Sequence, residues 1–391
     1  MICDELNTPL PVLGPRLSSA SHYRTGWSRA IMQARVVQNG VPSVTTFARE
    51  SSSAEDGLLV FLFGLPRSGT TWVGKIFDSH PRTVYKHEPD SFPLEPTMPW
   101  APAVSDTEAL RPAALRFLSL LPNINSSRAA GSLPIFPKEY RSDWQSWMHC
   151  VSILGTKLIS RVFAKELPVL PCCDYDSAFG LRLVWKSINS LGRLGVFFRV
   201  ANHRKAIVVV RHPCGVIASL KRGLSRGNLR NNPSEDYSLF EMLTRTDVGK
   251  RYGLTVSKLQ RMQSDERLTW KWVVVHEKAF EDVGDQQDVL FVRYEDICND
   301  PAVLTLKMFD FCGLPWSMQT ERFLETSTKP SSTRLAFRKL RSSQLSSDYF
   351  AIHKGPVQSA TRWHSELQPD EIRRICDVLN CSSLARLYPS T

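Results

Sequence analysis

Three groups of residues in this chain could carry chemistry. The stretch GLPRSGTT (64–71) nearly spells a phosphate cradle: Gly64 and Gly69 are spaced as in G-x-x-x-x-G-K-[ST], and Thr71 holds the hydroxyl position, but Thr70 stands where the lysine belongs. The cation comes instead from Arg67, whose flat fork of donors suits several oxygens at once. A second group is Arg211, closing the run KAIVVVR, with Ser219 eight residues further on in HPCGVIASL. Two cationic anchors of this kind imply a ligand with two separated phosphates. The third group is YKHEPDSF (85–92), where Glu88 stands 20 residues after Ser68 and His87 is its neighbour. A carboxylate or an imidazole here could take a proton from an attacking hydroxyl.

The elements around these residues place them. LLVFLF (58–63), KAIVVVR (205–211) and DVLFVRY (288–294) are short continuous apolar runs, the pattern of strands buried on both faces of a parallel sheet. Helical stretches separate them, which predicts an α/β fold with crossover helices. A strand ending at Phe63, a glycine turn and TTWVGKIF in helical register would gather loop amides and a helix N-terminus around an anion. Arg211 lies at the carboxyl end of its own strand, so it and the Arg67 loop would face one crevice. Near the end, NDPAVLTLKMFDFCGLPW offers Asp300 as N-cap, Pro301 at the first helical position and Gly313 as stop. QPDEIRRICDVL starts at Pro369 and puts Ile372, Ile375, Cys376 and Leu379 on one face. YKHEPDSF reads as extended, so His87 and Glu88 would point to opposite faces and Lys86 would share a face with Glu88.

Composition narrows the class. The chain has 391 residues and a formal net charge of +11, but Ser177–Ser234 holds 11 Lys or Arg and no Asp or Glu, while the remainder is balanced. A positive field so confined suits a compact polyanion better than nucleic acid. No apolar run is long enough to span a membrane, and the N-terminus lacks the layout of a secretory signal. Nine cysteines form no C-x-x-C pair, and vicinal Cys172 and Cys173 read as packing. A reduced, cytoplasmic protein is expected. Residues 1–56 read as an extension, partly disordered, with one short helix near Trp27–Val37; residues 57–391 form the domain, and the Pro-rich, Trp-bearing region 93–180 is its acceptor-site insert.

Taken together, GLPRSGTTW, VVVRHPCGVIASL, VLFVRYEDICNDPAVLTLKMFDFCGLPW and TRWHSELQPDEIRRICDVL resemble the sulfotransferase family in order and separation, over about residues 57–391. The resemblance implies a three-layer, P-loop-like α/β sandwich with a central parallel sheet, and 3′-phosphoadenosine 5′-phosphosulfate as donor. By the same resemblance Arg67, Ser68, Gly69, Thr70, Thr71 and Trp72 hold the donor's 5′ end, and Arg211 and Ser219 its 3′-phosphate. Glu88 resembles the general base of the carbohydrate and tyrosylprotein branch, whereas cytosolic small-molecule enzymes use a histidine. Arg334 and Lys354 are further candidates for contacts to the nucleotide. No metal is expected, because a sulfuryl group carries one negative charge fewer than a phosphoryl group. Glu295 and Asp296 of RYEDI read as structural, and the acceptor is a hydroxyl-bearing molecule of unidentified class.

Two other readings compete: a P-loop kinase or NTPase, which the missing lysine disfavours, and a non-catalytic nucleotide-binding scaffold. For the N-terminal extension the expectation is direct. A chain starting near Glu55 should stay soluble and keep its nucleotide affinity in calorimetry; aggregation would place the domain boundary elsewhere.

Overall fold

The structure, a computed structural model, describes residues 58–91, 98–126, 128–131, 133–163, 168–169, 180–227, 229, 231–284, 287–328 and 356–389. The N-terminal unit Met1–Glu55, the helix expected near Trp27–Val37, Cys172, Cys173, Arg334 and Lys354 all lie outside these residues.

Each apolar run of the sequence becomes a strand. β1 is Leu58–Phe63, β2 Thr83–His87, β3 Arg182–Ser187, β4 Arg204–Val210 and β5 Val289–Arg293. They form one sheet in the order β2-β3-β1-β4-β5, with every pairing parallel. The helices that matter for the site are α1 Thr70–Ser79, α2 Thr107–Leu120, α3 Asp143–Phe163, α4 Leu194–Val200, α5 Pro213–Ser225, α6 Ser264–Val283, α7 Tyr294–Asn299, α8 Pro301–Phe311, α9 Met318–Thr328 and α10 Pro369–Asn380.

Side-chain alternation along the strands creates two cores and therefore three layers. Phe61, Phe63, Ala206, Val208 and Val210 pack with Phe197 and Phe198 of α4, Trp272 and Val273 of α6, and Ile375 and Leu379 of α10. On the other face Val60, Leu62, Ile207 and Val209 meet Val73, Ile76 and Phe77 of α1, Met308 and Phe309 of α8, and Leu324 of α9. The two strands that carry no long apolar run, β2 and β3, escape a periodicity search because lysines occupy them. Lys86 and Lys186 are both buried, on the outer and second strands.

The basic stretch 177–234 is mostly not a ligand surface. Arg182 donates to the carbonyl of Cys312 (2.8 Å), Arg193 to Pro99 (2.8 Å), Arg204 to Phe198 (2.6 Å) and Lys205 to Phe311 (2.5 Å). Lys221 and Arg222 pair with Glu371 and Glu366. These cations satisfy backbone oxygens and carboxylates at the ends of elements, a structural use that composition cannot distinguish from ligand binding. Trp144 and Trp147 are exposed on α3 rather than in the core. Among the described residues no helix is long and apolar enough to cross a membrane.

Punctuation at α8 follows the sequence. The Asp300 carboxylate accepts from the Val303 amide (3.1 Å), and Gly313 ends the segment at φ 63°, the left-handed conformation that glycine adopts without a Cβ penalty. Asp300→Ala should lower the urea midpoint by a stability loss of about 1 kcal/mol; an unchanged midpoint would show that the cap contributes nothing.

Candidate functional site

The Arg67 loop leaves β1 at its carboxyl end and enters α1. Arg67 itself adopts φ 73° and Gly69 φ 90°. A β-carbon on Gly69 would sit 2.2 Å from the Tyr294 ring, and one on Gly64 would sit 2.7 Å from the Val209 carbonyl oxygen. Both glycines are therefore demanded by close approach, and Gly69 by its dihedral as well. The Ser68 hydroxyl donates to the Leu65 carbonyl (2.7 Å), which closes the turn. The amides of Trp72 and Val73 are the first to reach back to the Gly69 carbonyl, so those of Thr70 and Thr71 precede the helical ladder. No acidic residue occupies the first turn of α1, and the positive end of the helix is left for an external anion.

The second strand-turn-helix unit touches the first. Arg67 Nε donates to Ser219 Oγ at 3.0 Å, and Arg211 Nη1 donates to the Arg67 carbonyl at 2.9 Å. Arg211 also donates to the Ser359 carbonyl (2.5 Å) and lies over the Tyr294 ring, 4.7 Å from its centroid. Its Nε is buried without a hydrogen-bond partner, a donor that an anion would satisfy. The structure thus brings Arg67, Arg211 and Ser219 into contact with one another. Trp72 behaves differently: its indole donates to Ser327 Oγ (3.2 Å) and packs edge-on against Tyr294, so its side chain anchors α1.

Glu88 departs from the extended geometry. β2 ends at His87, and Glu88 takes φ 49°, in the left-handed region that costs a non-glycine residue of order 1 kcal/mol. Its amide donates to the Lys186 carbonyl (2.8 Å), and its carboxylate pairs with the Lys186 ammonium. The expected alternation breaks at this point, and His87 Nε2 lies 3.7 Å from Glu88 Oε1 instead of on the opposite face. Lys86 does not share the carboxylate; it donates to Asn125 Oδ1 (2.9 Å) and to the Ile124 carbonyl (3.1 Å). Burial, and then the nearby cations Lys186 and Lys75, hold the pKa of His87 well below the ordinary imidazole value. Its Nδ1 shares a hydrogen bond with the Tyr85 hydroxyl (2.8 Å).

Lys186 is the site residue that sequence reasoning missed. It is fully buried at the end of β3, and burial lowers its pKa against the opposing pull of Glu88. Arg67 is also among the cations whose charge bears on Lys186. Beneath them Asp90 accepts from Ser190 Oγ (2.6 Å) and from Ser187 Oγ, fixing the turn after Lys186. The only sequence signal was a lysine closing the otherwise apolar LVWK. Glu295 accepts from the His212 amide (3.0 Å) and the Tyr388 hydroxyl (3.3 Å), and Asp296 pairs with Arg293. Both serve the framework, and no group of His, Cys, Asp and Glu among the described residues could hold a metal ion.

Two strand-turn-helix units meet through Arg67, Arg211 and Ser219 at the carboxyl end of a parallel sheet, and the loop between the first strand and its helix has no lysine. The sequence matches the family described as "Sulfotransferase family" over residues 60–318, and the chain belongs to it. Its activity is accordingly sulfuryl transfer to an acceptor. A search of curated proteins finds no match. Among solved structures it is similar to the sulfotransferase domain of the Synechococcus PCC 7002 olefin synthase (16% identity, 84% of this chain and 97% of that one, TM-score 0.40). It is also similar to mouse sulfotransferase SULT7A1 complexed with PAP (14%, 84% and 87%, TM-score 0.39). Retinol dehydratase in complex with androsterone and inactive cofactor PAP is a third (18%, 83% and 82%, TM-score 0.35).

The ion pair makes a stability prediction. Glu88→Gln leaves the Lys186 ammonium buried without its counter-charge and should cost about 3 kcal/mol. Glu88→Gln with Lys186→Met removes both charges and should recover most of that loss in chemical denaturation. Equal stability of the single and double variants would mean that solvent already screens the pair.

Proposed function

We propose that the chain moves a sulfuryl group from 3′-phosphoadenosine 5′-phosphosulfate to a hydroxyl of its acceptor, with Glu88 as general base. The observation that carries this reading is the Arg67–Ser219 hydrogen bond of 3.0 Å. It joins the loop suited to a 5′-phosphosulfate to the helix suited to a 3′-phosphate, while Glu88 pairs with Lys186 of the strand next to β1. The loop amides of Gly69, Thr70 and Thr71 with Arg67 and Ser68 would hold the 5′ end, and Arg211 with Ser219 the 3′-phosphate. Trp72 contributes to that reading through its backbone and by fixing α1.

In the step itself the acceptor oxygen forms a bond to sulfur while the bond from sulfur to the 5′-phosphate oxygen breaks. The acceptor proton goes to the Glu88 carboxylate. Charge grows on the leaving phosphate, where Arg67 and the loop amides stabilise it. Lys186 pairs with the carboxylate and orients it. His87 is held neutral, bonded to Tyr85, and its approach to Glu88 makes it a neighbour that packs against the base. The region 93–180 is the proposed acceptor-binding part, and a cytoplasmic location is the one proposed for the reduced cysteines.

Isothermal calorimetry should show 3′-phosphoadenosine 5′-phosphate binding more tightly than AMP, and Arg211→Ala should erase the difference, a loss of about 1.5–3 kcal/mol. Equal affinity in the native chain would remove the Arg211 assignment. Glu88→Gln should reduce turnover with labelled donor by roughly 10²-fold or more while nucleotide affinity holds. Near-normal turnover in Glu88→Gln beside an inactive His87→Ala would move the base to the histidine, and activity lost to a chelator would favour a metal-dependent phosphoryl transferase.

A further inference from the structure

A second concentration of cations lies away from the Arg67 loop, beneath α3. Residues of β2, the outer strand of the sheet, and of α3 line a cavity of about 50 Å³. Lys86, Lys138, Arg141 and His149 all contribute to its wall, and Asp78 is the one carboxylate among the described residues that line it. That carboxylate is already shared, for it pairs with Lys75 at 2.6 Å and with Lys138 at 3.3 Å. Lys86 and Lys138 are both buried. Three cations thus bear on the cavity against a single acid, and a buried cation is stable only near a compensating charge. The imbalance acts on Lys138: burial draws its ammonium down to about 8 against the pull of Asp78, and Arg141 and Lys75 add to the fall.

A second observation points to a ligand and to its sign. His149 has its Nδ1 buried without a hydrogen-bond partner, and a buried polar atom in a folded chain is ordinarily satisfied. Burial first, then the charge of Arg141, holds this imidazole down at about 4, so at neutral pH it is an uncharged ring that can present one N–H. A metal ion at that nitrogen would meet Lys86, Lys138 and Arg141, all of its own sign. Water could satisfy the nitrogen but would bring no charge to the three cations. An anion does both. The cations are also held in place by neutral groups: Lys86 donates to the Ile124 carbonyl and to Asn125 Oδ1, and the Arg141 guanidinium lies over the Tyr140 ring, 5.0 Å from its centroid. Such fixed donors need little reorganisation to receive negative charge. Size narrows the class. One water needs about 10–15 Å³ of such space, so the cavity takes about four waters or one compact group of oxygens in their place.

We propose that the cavity beneath α3 is a binding site for a small oxyanion, a phosphate, sulfate or carboxylate group, received by Lys86, Arg141 and the His149 ring. It is separate from the contact of Arg67, Arg211 and Ser219, since its wall includes no residue of that loop or of α5. The test is an NMR titration of the full chain, labelled at histidine, with inorganic phosphate traded against sodium chloride at constant ionic strength. The His149 ring signal, identified by its loss in His149→Ala, should shift to saturation. Arg211→Ala should give the same curve, because the anion read at His149 is not one bound at Arg211. Arg141→Gln should weaken binding on the order of tenfold or more, with unchanged melting in phosphate-free buffer as the control for folding. A His149 signal that stays still, or that only drifts in proportion to phosphate as the exposed His203 does, overturns the proposal, and that native titration decides the matter alone if Arg141→Gln melts early. Equal affinity in a folded Arg141→Gln overturns it as well. Methyl phosphate separates the two sources of such a group: saturation at the affinity of inorganic phosphate supports an acidic group carried on a larger molecule, and exclusion of the ester supports the free ion.

Discussion

The buried contact between Lys186 and Glu88 sets the terms for the rest of the site. An ammonium at 0% exposure is tolerated only where a counter-charge lies within hydrogen-bonding reach. The counter-charge here comes from the residue just beyond β2, and delivering it forces the backbone into φ 49°. Strain at Glu88, the hydrogen bond from its amide to the Lys186 carbonyl and the collapse of His87 toward it all follow from that one requirement. Asp90, holding Ser187 and Ser190, then stops the end of β3 from moving away.

The charge at Arg211 is handled differently. Arg211 is held by two carbonyls and an aromatic face, none of which neutralises it. Its guanidinium is thus fixed in position, with its Nε left without a hydrogen-bond partner. Lys186 is the opposite case, compensated and kept from solvent. Both cations are buried; Lys186 meets a carboxylate, whereas Arg211 meets carbonyls and a ring.

Much of this was legible in the sequence where local rules act. The strand runs, the glycine turn into α1, and the Asp300 and Gly313 punctuation at α8 depend on neighbours within a few residues, and each appears where the pattern puts it. Arg67 and Arg211 meet because both follow strands of one parallel sheet at its carboxyl end, a topological rule rather than a local one. What could not be read was the Lys186–Glu88 pair, since nothing near either residue announces a partner 98 positions away. The break in alternation at Glu88 is a consequence of that partner, so it was hidden too. The basic stretch 177–234 misled for a related reason: whether an arginine meets a carbonyl or a ligand is decided by tertiary neighbours.

The strand order has a consequence for how the chain acquires its activity. β1 lies between β3 and β4, both made well over a hundred residues after it, so the loop that β1 carries has no walls until the chain has doubled back twice. Ser187, whose carbonyl accepts from the Gly64 amide (3.3 Å), Lys186 and Ser219 must all be synthesised and docked first. Such long-range parallel pairing is slow relative to helix formation, and a chain emerging from the ribosome would pass through a period with α1 formed and its phosphate loop unsupported. The Arg67–Ser219 contact is therefore completed late in maturation, coincident with closure of the sheet.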